Sequence, residues 1–173
     1  MPRRFHPSDE LLPPAPGFRR LLAVIYDSLI ALAVLLVITW LYTLLAGALS
    51  GWNDYRGLTN PNALSRDPAL TATLFLGLYL FFAYFWTRLG QTLGMQVWRI
   101  RVENPDGTSI GWSQSLRRFG LAAAVMLLAL SAAGALGALS LLFSVPGLLA
   151  LWLPVNGQSL TDRVSRSLVV KTG

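Results

Sequence analysis

Three charged residues stand where a mostly apolar chain could use them for chemistry: Arg20, Asp27 and Asp162. Asp27 interrupts an apolar run that extends from Leu21 to Leu49, and about 20 apolar residues suffice to span a bilayer. A carboxylate inside such a run costs roughly 2.5–3.5 kcal/mol on insertion scales, and intramembrane acids often mark ion or proton pathways. Asp27 is therefore a candidate ion-binding carboxylate. The alternative is a structural pair that holds helices in register.

Arg20 lies at the mouth of the same run, about 10 Å from Asp27 along a helix axis. Both side chains lean towards the N-terminus of the helix, so each is expected to find its partner elsewhere. Asp162 follows the last apolar run, and we expect it to form a charge lock with Arg20 or Arg88. Arg20 could also clamp a substrate or anchor to lipid headgroups.

Composition indicates a membrane protein. Hydrophobic residues make up 54% of the 173-residue chain and charged residues 13%, against roughly 25% charged residues in soluble domains. There is no Cys, and the one histidine, His6, lies in a Pro-rich N-terminal segment, so neither a metal site nor a cofactor is expected. Two carboxylates without a base, metal or nucleophile do not form a catalytic constellation. We therefore do not expect an enzyme.

The net charge of +6 follows the predicted topology and is not gathered on one soluble face, which argues against a nucleic-acid partner. The positive-inside rule places the N-terminus and the Arg88–Arg118 segment in the cytoplasm and the Gly51–Pro68 loop outside. We expect a multi-pass protein of the inner membrane with a cytoplasmic N-terminus and a cytoplasmic C-terminus.

The apolar runs predict an all-α membrane protein, a small helical bundle of three to four membrane passages with a short cytoplasmic β-hairpin insertion. The run Phe119–Pro154 would be about 54 Å long as one helix, too long for a single span. The charge rule favours two short spans turning near Ala133–Gly137, while a re-entrant pair or one span stays open. The expected parts are a disordered cytoplasmic tail at 1–16, a transmembrane domain at 17–173 with spans at about 20–48, 69–87, 119–134 and 138–154, and a cytoplasmic hairpin at 89–118.

Periodicity refines two of these elements. In a helix, Asp27 shares a face with Arg20 and with the small residues Ala23 and Ala31, and small residues allow close helix approach. That face should therefore point at protein and not at lipid. In the hairpin, Val97–Glu103 alternates as a strand does, Asn104 to Gly107 form a turn, and Thr108–Ile110 return as a second strand. Leu168–Val170 could add another short strand.

Three short motifs, taken together, resemble the RDD family of bacterial membrane proteins, named for one arginine and two aspartates. The stretch from Arg20 to Asp27 is similar to the first motif, Gly90–Gln96 to the central one and Leu160–Arg163 to the closing one. The resemblance implies a membrane protein with solute or ion transport as its suggested activity. It implies a site with Arg20, Asp27 and Asp162 as its signature and Arg88, Gln91, Thr92 and Arg163 as supporting residues.

Two functions remain as hypotheses. The first is transport of an ion or small solute, with Asp27 binding the cation and with Arg20 and Asp162 as a cytoplasmic gate. Three or four spans enclose little polar volume, so this hypothesis expects a homo-oligomer or a membrane partner protein. The second is a non-transporting scaffold that docks a partner through 89–118. In both, Arg99 and Arg101 are candidates for contact with anionic lipid headgroups of the bilayer.

Overall fold

The computed structural model of the chain describes residues 3–7, 12–51 and 66–172. It is mostly helical, with one small sheet. The helices are α1 (Gly17–Ser50), α2 (Pro68–Arg88), α3 (Leu93–Val97), α4 (Trp112–Leu136), α5 (Leu141–Trp152) and α6 (Leu160–Ser165), a 3-10 turn covers Gly137–Ser140, and the strands are β1 (Ile100–Glu103) and β2 (Leu168–Lys171).

Three helices, α1, α2 and α4, are long and apolar enough to cross a membrane. In the most apolar part of each, no more than 17% of the residues are buried inside the protein. Their side chains are therefore available to acyl chains, as membrane-spanning helices require. These helices contain the residues of the first three predicted spans, and α4 begins seven residues earlier than its span was predicted to begin.

The chain forms two compact units, Met1–Asp27 with Phe82–Gly173 and, separately, Ser28–Phe81. In the second unit, Asp67 holds the start of α2, because its carboxylate accepts a 2.8 Å hydrogen bond from the Ala69 amide and a 2.7 Å bond from the Tyr42 hydroxyl. Such a bond to an early helical amide satisfies a donor that has no partner within the helix. Most of the loop predicted to be external lies outside the described residues.

The first unit contains what we call the polar cap, residues 89–111 and 153–172. Its core joins strand residues to the membrane helices: Ile100 and Val102 are fully buried, and they pack in one cluster with Ala23 of α1 and Trp86 of α2. The apolar interior of the cap is therefore continuous with the ends of the spanning helices.

The predicted β-hairpin is wrong in its second strand. β1 pairs with β2 in antiparallel register, Val102 opposite Val169, and Thr108–Ile110 form no strand with it. The Ser109 amide donates instead to the carbonyl of Arg3 at 2.7 Å. β2 is the better partner because it presents consecutive β-branched residues with both valines buried. The short strand suggested at Leu168–Val170 is thus present.

The N-terminal segment also differs from the disordered tail that its composition suggested. The Phe5 amide donates to the Gly107 carbonyl, and the Ala15 amide donates to the Val169 carbonyl, each at 2.9 Å. Ala15 is fully buried. The backbone of the described residues 3–7 and 12–16 therefore adds to the edges of the cap. Pro-rich composition did not prevent docking because these residues meet unpaired strand groups.

The apolar run after the cap folds as a helix pair and not as one rod. α4 ends at Leu136, and Gly137 adopts a positive φ of 54° that favours glycine. The 3-10 turn then leads into α5, which packs back against α4. The sequence predicted a turn near Ala133–Gly137. The observed turn, Gly137–Ser140, begins at the last residue of that range.

A histidine fixes the described N-terminal residues to β1. His6 Nε2 lies 2.9 Å from the Glu103 carboxylate, which also accepts a 2.9 Å bond from Arg101 Nε. The hydrogen bond to Glu103 raises the pKa of the His6 imidazole above its ordinary value. Protonation of His6 therefore strengthens its contact with the cap.

We predict that the docking of residues 3–7 weakens as pH rises. A folded-state pKa above the unfolded value of about 6.5 gives a stabilisation that is complete below that pH and is lost as pH rises through the folded-state pKa. Because His6 is the only histidine, its NMR titration reports this pKa directly. An apparent pKa at or below 6.5 would contradict the prediction, and His6→Gln should make protease cleavage within residues 1–16 independent of pH between 6 and 8.

Candidate functional site

The carboxylate of Asp162 lies between two arginine side chains in the interior of the cap. Arg20 Nη1 donates to its Oδ2 at 2.5 Å, and Arg118 Nη1 donates to its Oδ1 at 2.8 Å. Side-chain exposure is 4% for Arg20, 3% for Arg118 and 0% for Asp162. We call this group the charge lock.

Helix geometry brings the three members of the lock together. Arg20 is in the first turn of α1 and Arg118 in the second turn of α4. Asp162 is at position N3 of the short helix α6, where it also accepts a 3.1 Å bond from the Ser159 amide. The Ser159 hydroxyl in turn accepts a bond from the Asp162 amide, so a reciprocal capping box orients the carboxylate.

Backbone carbonyls satisfy the remaining donors of Arg20. Its Nε donates to the Ala15 carbonyl at 3.0 Å, and its Nη2 donates to the carbonyls of Gly157 and Val169 at 3.2 and 3.1 Å. These acceptors come from the N-terminal segment, the α5–α6 connection and β2. One guanidinium therefore ties together three chain segments of the cap.

Arg118 is held by hydroxyl groups and by an aromatic face. Its Nη1 donates to Ser167 Oγ at 2.6 Å and to Ser165 Oγ at 3.2 Å. Its guanidinium carbon lies 5.8 Å from the centre of the Trp86 ring, within the range of a cation–π contact. Its Nε is buried without a hydrogen-bond partner among the described residues.

Electrostatics keep Asp162 ionised. Burial disfavours the charged carboxylate, but the guanidinium groups of Arg118 and Arg20 outweigh it and hold the pKa of Asp162 below its ordinary value. Two cations thus face one anion in the protein interior. Removal of Asp162 would leave two buried guanidinium groups without a counter-charge, and removal of either arginine would leave one oxygen of the buried carboxylate without its charged donor; both cost more than the loss of a surface pair.

Asp27 forms a second polar site on the same face of α1 as Arg20, about two helical turns further along. Its Oδ2 accepts a 2.5 Å bond from the Thr92 hydroxyl, and its Oδ1 accepts a 2.9 Å bond from the Gly94 amide. Thr92 in turn is the N-cap of α3. The carboxylate of α1 therefore holds the start of α3, and no arginine takes part in this contact.

Close approach explains the glycine in the central motif. A Cβ atom on Gly94 would clash with the carbonyl oxygen of Ala23 and would lie 2.8 Å from Asp27 Oδ1. Only a residue without a side chain lets α3 rest on α1 at this distance. The predicted face of α1 is confirmed here, because Arg20, Ala23 and Asp27 are all buried against protein.

The supporting residues have separate positions. Gln91 donates its amide to the Ile100 carbonyl at 2.9 Å, inside the cap. Arg163 is exposed and donates to the Val155 carbonyl at 3.2 Å. Arg88 is exposed at the end of α2. It does not pair with Asp162, whose second arginine partner is Arg118.

Sequence reasoning missed Arg118, although a signal was available. Arg117 and Arg118 precede the third apolar run just as Arg19 and Arg20 precede the first. In both pairs the second arginine is buried and the first is not fully buried. One arginine at the start of the first run and one at the start of the third, with one carboxylate after the last run, would have suggested a lock of three residues. Arg101, expected at lipid headgroups, is instead engaged with Glu103.

The arrangement has the chemistry of a structural clamp. Among the described residues, no group of three or more His, Cys, Asp or Glu side chains could hold a metal ion. The two signature aspartates accept hydrogen bonds from buried protein donors on both of their oxygens. Neither carboxylate has an oxygen left without a protein donor.

We predict that Asp162→Asn lowers the free energy of unfolding by about 3–5 kcal/mol, the usual cost of removing one partner of a buried ion pair. Arg118→Gln should act in the same direction. The matched control is Arg117→Gln, which removes the same charge from an exposed neighbour and should stay within about 0.5 kcal/mol. SDS titration in mixed micelles measures the difference. Equal effects of the two arginine substitutions would contradict the burial of the lock.

Comparison with known proteins gives one match. The sequence profile described as the RDD family matches residues 14–166. No curated protein and no solved structure matches the chain. The match includes Arg20, Asp27 and Asp162 and covers most of the chain, and the apolar helices fit a membrane protein of this type. The chain therefore belongs to the RDD family.

Proposed function

We propose that this protein is a non-transporting membrane scaffold whose signature residues hold the polar cap on the starts of the spanning helices. The observation that carries the proposal is that both oxygens of Asp27 and both oxygens of Asp162 accept hydrogen bonds from buried protein donors. A transport site must exchange its ligands with a passing ion. Here an ion that bound Asp27 would compete with the Thr92 hydroxyl and the Gly94 amide for the carboxylate, and displacement of Thr92 would disturb the N-cap of α3.

The scaffold hypothesis assigns the cap to partner binding. The segment 89–118 carries an exposed apolar pair on α3, Leu93 and Val97, one turn apart, and the exposed side chain of Arg99 beside it. A basic and apolar surface of this kind suits a membrane protein partner or a second copy of the chain at the membrane surface. Asp27 supports this role because its bonds to Thr92 and Gly94 hold the start of α3, which carries the apolar pair.

Transport of an ion or small solute is the second candidate. Its supporting observation is the position of Asp27, which lies about 15 Å along α1 from the first residue of the helix. Acids at such depth frequently mark ion pathways. In this hypothesis the α3 contact opens during the cycle and Asp27 is exposed in a second conformation.

We predict that liposomes containing the wild-type protein show no proton or sodium flux above protein-free liposomes. Asp27→Asn should lower the free energy of unfolding without changing that flux. Asp106→Asn is the matched control, because it removes a carboxylate from an exposed turn of the cap. Flux that wild type supports, and that Asp27→Asn abolishes while the protein stays folded, would overturn the scaffold hypothesis in favour of transport.

We further propose four membrane passages with both termini in the cytoplasm. The support is the backbone pairing of residues 13–15 with β2, in which the Lys171 amide donates to the Pro13 carbonyl at 2.9 Å. Segments bonded in this way share one side of the membrane, so an even number of crossings must separate them. With α1, α2 and α4 as three crossings, the 3-10 turn Gly137–Ser140 and α5 together would supply the return.

A labelling experiment tests this topology. Because the chain has no cysteine, Pro7→Cys and Thr172→Cys can each provide a single thiol at an exposed position. We predict that a membrane-impermeant maleimide labels neither in intact spheroplasts and both after permeabilisation. Arg66→Cys, just before α2, should already be labelled in intact spheroplasts. Different labelling of the first two variants would contradict an even number of crossings.

A further inference from the structure

A groove of about 470 Å³ opens in the cap between the end of α2 and the start of α4. Its volume lies within the range of roughly 300–1,000 Å³ that is usual for small-molecule sites. It is separate from the charge lock and from Asp27, since none of their residues lines it. The lining residues are Thr87, Arg88, Asn104, Ser109, Ile110, Gly111, Trp112 and Gln114.

The groove lies at the depth of lipid headgroups. Arg88 is the last residue of α2 and Trp112 the first of α4, and both helices are long and apolar enough to span the membrane. The ends of such helices lie where hydrocarbon gives way to headgroups. The exposed Trp112 side chain fits this position, because tryptophan is enriched at the membrane interface.

The charges around the groove favour an anion. Arg88 is exposed, and within the described part of the chain its guanidinium forms no hydrogen bond or ion pair. None of the eight lining residues is acidic. The N-terminus of the 25-residue helix α4 also opens here, and the positive end of the helix dipole adds to the potential.

Hydrogen bonds make the groove walls rigid. Gln114 accepts a 2.8 Å bond from the Gly111 amide and donates at 2.7 Å to Asn104 Oδ1. Asn104 donates in turn to Thr108 Oγ1 at 3.0 Å. These amides are used within the protein, so they shape the site and leave Arg88 as the side chain that can contact a ligand.

We propose that the groove binds the phosphate of an anionic phospholipid headgroup, with Arg88 as its counter-charge. A basic pocket between membrane helices is a known kind of site for anionic lipid, and arginine matches phosphate through paired hydrogen bonds. A lipid suits the groove better than free phosphate, because the acyl chains can lie along the exposed apolar face of α4. The proposal is independent of the scaffold and transport hypotheses.

Native mass spectrometry of the full-length protein in neutral detergent tests the proposal. The probes are phosphatidylglycerol and, as a zwitterionic reference, phosphatidylcholine. Wild type should prefer phosphatidylglycerol, and Arg88→Gln should weaken its binding by about five-fold, as expected for one cation near the surface. Arg88→Lys should keep most of the affinity. Arg117→Gln, which removes an exposed charge outside the groove, should change it less than two-fold.

Each alternative outcome is distinguishable. Equal losses for Arg88→Gln and Arg117→Gln would reduce the effect to general surface charge and overturn the site. Displacement of the lipid by millimolar inorganic phosphate would show a site for free phosphate and not for lipid. Unfolding free energy measured alongside should be unchanged in Arg88→Gln, since the residue is exposed. A loss of lipid with unchanged stability therefore supports the groove as a lipid site.

Discussion

The structure depends on a single buried carboxylate that is shared by two arginines. Asp162 is 142 residues from Arg20 and 44 residues from Arg118 in sequence, so the lock closes only when distant segments have reached their places. Desolvation of three charges is unfavourable unless all three meet with good geometry. The capping box at Ser159 contributes to that geometry, because it orients the carboxylate through bonds within its own helix. We therefore expect the cap to form only when all three residues of the lock are in contact.

Asp27 meets a related constraint by a different solution. A buried carboxylate must find donors, and no arginine among the described residues bonds to Asp27. Two uncharged donors at the start of α3, the Thr92 hydroxyl and the Gly94 amide, take that role. The bonds place the unpaired amides of a helix start against a carboxylate, which satisfies both partners. These contacts explain two residues of the central motif. Thr92 supplies the hydroxyl that bonds to Asp27, and Gly94 has no side chain that would clash with α1.

The sequence predicted the parts of this site that follow from local rules. The small residues around Asp27 predicted the buried face of α1, and the need of Asp162 for a counter-charge suggested Arg20. Arg118 was missed because nothing in the local sequence distinguishes it from Arg117. Only the packing of α4 against α6 decides which of the two arginines faces Asp162. The β1–β2 pairing was only partly predicted for a similar reason. Short strands with apolar residues accept several partners, and the choice depends on which edge the N-terminal backbone occupies.

The distribution of these contacts bears on the order in which the protein can assemble. Arg20 and Arg118 lie at the starts of two spanning helices, and Asp162 lies just after α5. Long apolar helices can insert in the bilayer without the cap, since their backbone groups are satisfied internally. The cap cannot form without them, because its core includes Ala23 and Trp86 and its charges need both arginines. Insertion must therefore precede closure of the lock, and the cost of Asp27 in the membrane is offset only when α3 docks. A substitution in the lock should consequently leave membrane insertion intact and affect the cap alone.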